Sequence, residues 1–227
     1  MRARHARTTR TLMAALLLLT VLIAGPGSVP AGADEVSLAA YFNNVGITKD
    51  PFSGANFDFV GWSYHEVALL QAGVRGGEPV TAGGMTFTWP DTASGESDNM
   101  AMDGQIVPLV APGATKIGFL GASTNGPVTT PVTLHYTFVD ADGELQEVAV
   151  AQPVTFSDWT LNAGNASPHA SNAIAAEMLF RWPVNQAVAQ DEPFVFTTSI
   201  PVDPAMTLDS IEFPNEQRMH LFGMIVE

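Results

Sequence analysis

The chain has no cysteine in 227 residues. Disulfides, thiolate metal sites, a cysteine nucleophile and a lipoprotein anchor are therefore excluded. Positive charge is also scarce: nine Lys and Arg stand against 23 Asp and Glu, a formal net charge of −14. Nucleic-acid binding needs clustered cations to neutralise phosphates, and this chain has too few. Long hydrophobic runs are missing as well. The longest, Leu12 to Ala24, is thirteen residues interrupted by Thr20, short of the ~20 that a membrane-spanning helix needs. Disorder is excluded from the other side, because 46% of the residues are hydrophobic.

What is present begins with an export signal over residues 1–33. Arg2, Arg4, Arg7 and Arg10 form a basic start, the apolar run follows, and Ala31-Gly32-Ala33 supplies a small-x-small cleavage pattern. No Arg-Arg pair precedes the run, so the general secretory route is expected rather than the twin-arginine route. Cleavage after Ala33 would leave a secreted chain, 34–227, with five basic and 23 acidic residues, a net −18. A domain of 194 residues buries roughly 70% of its unfolded surface, so it folds without disulfides even outside the cell.

Residues 34–227 read as a single antiparallel β-sandwich or jelly roll with one short helix. Met85, Phe87 and Trp89 alternate with threonines after the turn Gly83-Gly84. Val132, Leu134, Tyr136 and Phe138 alternate likewise, and the turn Asp140–Gly143 joins them to Leu145–Val150 as a hairpin. Further period-two faces run through Ile174, Ala176, Met178, Phe180 and Trp182, and through Phe194, Phe196, Thr198 and Ile200. Leu208, Ile211 and Phe213 mark a short strand. In the last strand, Met219, Leu221, Gly223 and Ile225 oppose His220, Phe222, Met224 and Val226, so both faces are apolar and the strand is expected to be central. Ser63-Tyr64-His65-Glu66 has the spacing of a capping box, predicting a helix with Ser63 as N-cap and Gly73 just past its end.

Catalytic signals are thin. Gly61-Trp62-Ser63-Tyr64-His65 lacks the last glycine and the strand–turn–helix setting of a nucleophile elbow. His65, His135, His169 and His220 form no pair at metal-ligand spacing. Asp140–Glu144 has fragments of a calcium loop, but a hairpin turn explains them better. No pair of carboxylates stands out as glycosidase acid and base.

A sugar-binding surface needs rings to stack on pyranose faces and polar groups to bond the hydroxyls. The loop residues Trp62, Asp98, Asn99, Asn125, Asp158 and Trp159 supply both kinds. The competing role for the polar ones is closure of their own loops, and for Trp159 a place in the core.

Several strings occur together in order: Tyr41–Ile47, Ala55-Asn56-Phe57-Asp58, Gly61-Trp62-Ser63-Tyr64, Phe87–Asp91, Ser97-Asp98-Asn99, Gly118–Ala122 with Thr124-Asn125-Gly126, Phe156–Trp159 and Arg218–Phe222. From about Leu38 to Val226 the chain resembles a β-sandwich module of secreted actinobacterial proteins, often appended to glycoside hydrolases such as family 92 α-mannosidase-like enzymes. That module is similar to galactose-binding-like jelly rolls, which include many carbohydrate-binding modules. The resemblance implies a non-catalytic accessory fold that binds a polysaccharide or glycan and uses no catalytic cofactor. Related jelly rolls hold a structural calcium, and Asn44, Asp50, Asn56 and Asp58 offer oxygen ligands in one loop-rich stretch. The alternative is a secreted protein-interaction or structural sandwich that binds no sugar. A small hydrolase is the weakest option.

Overall fold

The computed structural model describes residues 33–51, 54–161, 167–183 and 192–227. The expected export signal, up to residue 32, lies outside them. The strands are β1 (Asp34–Val36), β2 (Ile47–Thr48), β3 (Tyr64–His65), β4 (Pro79–Ala82), β5 (Met85–Thr88), β6 (Met100–Asp103) and β7 (Ile106–Pro112). They continue with β8 (Lys116–Ser123), β9 (Val128–Val139), β10 (Leu145–Phe156), β11 (Ala173–Glu177), β12 (Phe194–Pro201), β13 (Thr207–Glu212) and β14 (Asn215–Val226). Helix α1 spans Glu66–Gln71.

Two sheets make the sandwich. One has the order β1-β14-β8-β12-β11, with β6 also pairing β14; the other is β10-β9-β13-β7. Every pairing in both is antiparallel. The long hairpin β9–β10 matches the sequence reading: Val132, Leu134 and Tyr136 face inward, and Thr133 and His135 between them are partly exposed. As expected, β14 is central, between β8 and the β1 and β6 pair.

Its faces are not a simple alternation. A bulge between Leu221 and Gly223 breaks the register with β8. An extra residue swaps the faces of everything after it. His220 and Phe222 therefore share a side with Gly223 and Ile225. Phe222 stacks on Trp89 at 4.5 Å, a Cβ on Gly223 would lie 3.4 Å from Phe87, and the flat floor at Gly118 holds Met85 and Ile225. That side of the sheet is covered by the segment from β2 to β5, including the hairpin β4–β5. Gly121 has its own steric reason. A Cβ there would collide with the His220 carbonyl, so only glycine lets β8 and β14 approach here.

Two local expectations change. Ser63 does not cap the helix. It is buried, its backbone bridges Trp182, and its hydroxyl lies 2.7 Å from Thr48 Oγ1. His65 is the N-cap instead, with Nδ1 accepting the Val67 amide at 3.1 Å. The Ile174–Trp182 face is also broken. A bulge between Ile174 and Ala176 leaves Ile174 exposed, while Ala176 and Met178 are buried, and β11 stops at Glu177. Gly73 does follow the helix with φ +86°, its amide donating to the Leu70 carbonyl.

Candidate functional site

All the candidate ligand residues except Asp50 are linked through one cluster of loops at the β8 end of the sandwich. The segment before β6 enters it first. Asp98 is buried, and its carboxylate accepts the amides of Gly46 at 2.9 Å and Ile47 at 3.0 Å, and Asn99 Nδ2 at 2.7 Å. Because Nδ2 of Asn99 serves Asp98, its Oδ1 faces His220, and His220 Nδ1 donates to it across 2.8 Å. Asn44 joins the same knot, with Nδ2 3.3 Å from Asn99 Oδ1 and its backbone bridging Asn99. Burial raises the Asp98 pKa to about 6 against the opposing amide bonds, and lowers that of His220 to about 3.

His220 then packs under rings. Phe57 lies 4.2 Å away and Phe59 5.4 Å away, and Nε2 is buried without a hydrogen-bond partner. Phe57 continues to Tyr64 at 4.6 Å and Trp159 at 5.1 Å. Tyr64 donates its hydroxyl to the Phe194 carbonyl at 2.6 Å, and burial, then Asp158, holds its pKa well above the usual phenol value.

The loop between Asn56 and Trp62 is built from its own polar residues. Asn56 Oδ1 accepts the Gly61 amide at 2.8 Å; Asp58 Oδ1 accepts those of Val60 at 3.0 Å and Trp62 at 2.9 Å. Asn125 Nδ2 donates to the Asp58 carbonyl at 3.1 Å from the neighbouring turn. That scaffold holds Phe59 at φ +61°, a left-handed conformation unfavourable for a bulky residue. It also leaves Phe59 46% and Val60 69% exposed.

Asp158 closes the other side. Its carboxylate accepts the Gly126 amide, and the amide and hydroxyl of Thr160 at 2.8 Å each. Trp159 is buried and its backbone is fixed at both ends, the amide to Ser123 and the carbonyl to Phe194. Trp62 is half-buried, with the Arg181 guanidinium 3.9 Å above its ring.

Asp98, Asn99 and Asp158 thus direct their polar atoms at the protein's own backbone and side chains. Trp62, half-buried, and Asn125, exposed, retain free surface. Among the proposed calcium ligands, Asn44, Asn56 and Asp58 are engaged in the bonds above, and Asp50 is exposed elsewhere. Among the described residues no group of three or more His, Asp or Glu is arranged to hold a metal ion. Among the described residues, the nearest thing to a nucleophile pair is His169 Nδ1, 2.8 Å from Ser171 Oγ, in an exposed turn where the same nitrogen also receives the Ser171 amide. His220 is not among the site residues expected from the sequence. Its signal is a lone imidazole in the apolar run Met219–Val226.

The two sheets and their antiparallel order define a β-sandwich protein, held at one end by a polar and aromatic knot. The chain belongs to the AziU2-like beta-sandwich domain family, whose model matches residues 32–227. No curated protein matches it.

Proposed function

We propose that the chain is a secreted, non-catalytic binding module that docks on another protein through the loop Asp58–Trp62. The observation that carries this reading is Phe59. An exposed phenylalanine in a left-handed conformation is kept there by four side-chain hydrogen bonds from Asn56, Asp58 and Asn125. Strain of ~1–3 kcal/mol maintained by a dedicated scaffold is typical of recognition sites. Together with Val60 it offers a small apolar knob of the kind that fills a pocket on a partner. In this reading the module uses no cofactor, and its acidity keeps it away from anionic surfaces.

The test is site-specific cross-linking. A photoreactive amino acid at Val60 should capture a discrete protein from culture supernatant or cell surface, and Phe59→Gly should abolish capture without lowering the melting temperature. Capture that is indifferent to Phe59→Gly would overturn the loop's role.

Carbohydrate binding, with the module as a galactose-binding-like accessory to glycoside hydrolases, is the second reading. Trp62 and Asn125 favour it, because both keep solvent-facing surface and both bond Asp58. A glycan array with saturable binding lost in Trp62→Ala would support it over the protein partner.

A further inference from the structure

We propose that the free edge of β10 from Leu145 to Ala151 accepts an extended basic strand of another protein, adding a fifth strand to the four-stranded sheet. This surface is distinct from the Asp58–Trp62 loop. It rests on the reading of a protein partner, not on the loop being the contact.

The turn before β10 sets which amides are free. The Asp140 amide donates to the Glu144 carbonyl at 2.9 Å, and Gly143 donates to Asp140 at 3.1 Å with φ +86°. The Glu144 amide turns to Asp140 Oδ1 at 3.0 Å, so one ladder bond joins these residues, and it sets the phase in which hydrogen-bonded pairs alternate along the antiparallel ladder. Even-numbered residues of β10 turn their amides toward β9, and odd-numbered residues turn theirs outward. Two independent features agree with this phase. Pro131 and Pro153, which have no amide hydrogen, stand opposite each other at odd positions. Asn172 Nδ2 donates to the outward carbonyl of Thr155 at 2.8 Å, and Asn172 Oδ1 accepts the outward amide of Ser157 at 2.7 Å.

Asn172 therefore closes the edge at one end, and Pro153 removes the next donor. Leu145, Glu147, Ala149 and Ala151 remain, all exposed. Among the described residues no strand pairs with them. The opposite edge of the sheet, β7, carries Pro108 and Pro112, the usual protection against strand addition. No proline or lysine protects Leu145–Ala151.

Two features identify the occupant. A strand laid along this edge would send alternate side chains inward and outward. Inward, beside the exposed Val148, lies a hollow of about 320 Å³ whose lining is mostly apolar, with Tyr136, Val150, Val202 and Met206, and includes Gln152 and Asp203. It suits an aliphatic side chain. Outward, the sheet offers Glu147 and Asp209, with Glu212 held by His135 Nε2 at 3.2 Å, and the turn adds Asp140, Asp142 and Glu144. None of β7, β9, β10 and β13 contains a Lys or Arg. The five cations of residues 34–227 are Lys49, Arg75, Lys116, Arg181 and Arg218, all on other elements. A strand alternating apolar and basic residues fits both sides. A second copy of this chain does not, because its own β10 edge carries Glu147 and no Lys or Arg to meet these acids.

The experiment is amide exchange by NMR on the full 34–227 chain, with an eight-residue amidated peptide alternating valine and lysine. Its control alternates valine and glutamate. The lysine peptide at saturation should slow exchange at Leu145, Glu147, Ala149 and Ala151 by about tenfold or more. Ala149→Pro, which removes an outward donor as Pro153 does naturally, should abolish the effect. Glu147→Lys should weaken the lysine peptide and favour the glutamate one, and it decides the matter if the proline variant misfolds. No slowing, equal slowing by both peptides, or protection of these amides by self-association in sedimentation would overturn the proposal. Cross-linking at Val60 that persists in Ala149→Pro leaves the loop reading intact whatever happens at the edge.

Discussion

Asn99 Oδ1 accepts a hydrogen bond from His220 Nδ1 across 2.8 Å, joining residues 121 positions apart. Asn99 is in turn fixed by Asp98. This chain of three side chains ties the loop before β6 to the central strand, and its two titratable ends respond to acid in opposite directions.

His220 has a folded pKa lowered from 6.5 to about 3. Its stabilising contribution is present above pH 6.5 and is lost as pH falls toward 3, because the unfolded chain takes up the proton first. Replacing it with phenylalanine removes that loss. His220→Phe should therefore be less sensitive to acid than the parent between pH 6.5 and 3, even if less stable at pH 7. Urea midpoints measured across that range check the slope, and a steeper acid loss in the variant would contradict it.

Asp98 has a folded pKa raised from 3.8 to about 6. Its contribution is present below pH 3.8 and is lost as pH rises through 6, so it opposes the histidine over the shared window. Asp98→Asn replaces an acceptor with an amide nitrogen facing two backbone donors. The variant should lose ~2–3 kcal/mol at pH 7, where the parent's Asp98 is mostly ionised and accepts both amides. It should also lose stability more steeply than the parent as pH drops from 6 to 4. Parallel pH profiles for variant and parent would count against the assignment.

Gly121 should tolerate nothing larger. A Cβ there meets the His220 backbone carbonyl rather than a movable side chain. Gly121→Ala is expected to cost ~3 kcal/mol or more, or to prevent folding. A variant with an unchanged urea midpoint would show that β8 and β14 are less closely apposed than described.

Calcium should leave stability unchanged. The Asn56 and Asp58 Oδ1 atoms already accept backbone amides, and Asn44 is bonded to Asn99. Melting temperatures in EDTA and in millimolar calcium should agree within error. A rise of several degrees with calcium would require these side chains to exchange partners.

Most of the fold is legible in the sequence because strand periodicity is local. Val132, Leu134 and Tyr136, or Met85 and Phe87, declare their inward face within five residues. The bulges at Phe222 and near Ala175 are not legible, since an extra residue looks like any other until a partner strand sets the register. The knot is harder still. Asn44 meets Asn99 across 55 positions, and Asn125 meets Asp58 across 67. In the sequence they read as loop amides free for a ligand; their partners lie on other segments. Ser63 shows the same limit, because a local capping pattern yields to a tertiary bridge with Trp182.

The central claim is that Asp98, Asn99, His220, Asp158 and Trp159 hold the recognition loop and do not themselves meet a ligand. It is tested most directly by titrating isotope-labelled protein with a panel of mono- and oligosaccharides at millimolar concentration, following the amides of these residues and the Trp159 indole. No saturable shift is expected at any of them. Saturable shifts centred on Asn99, Asp158 and the Trp159 indole would contradict it.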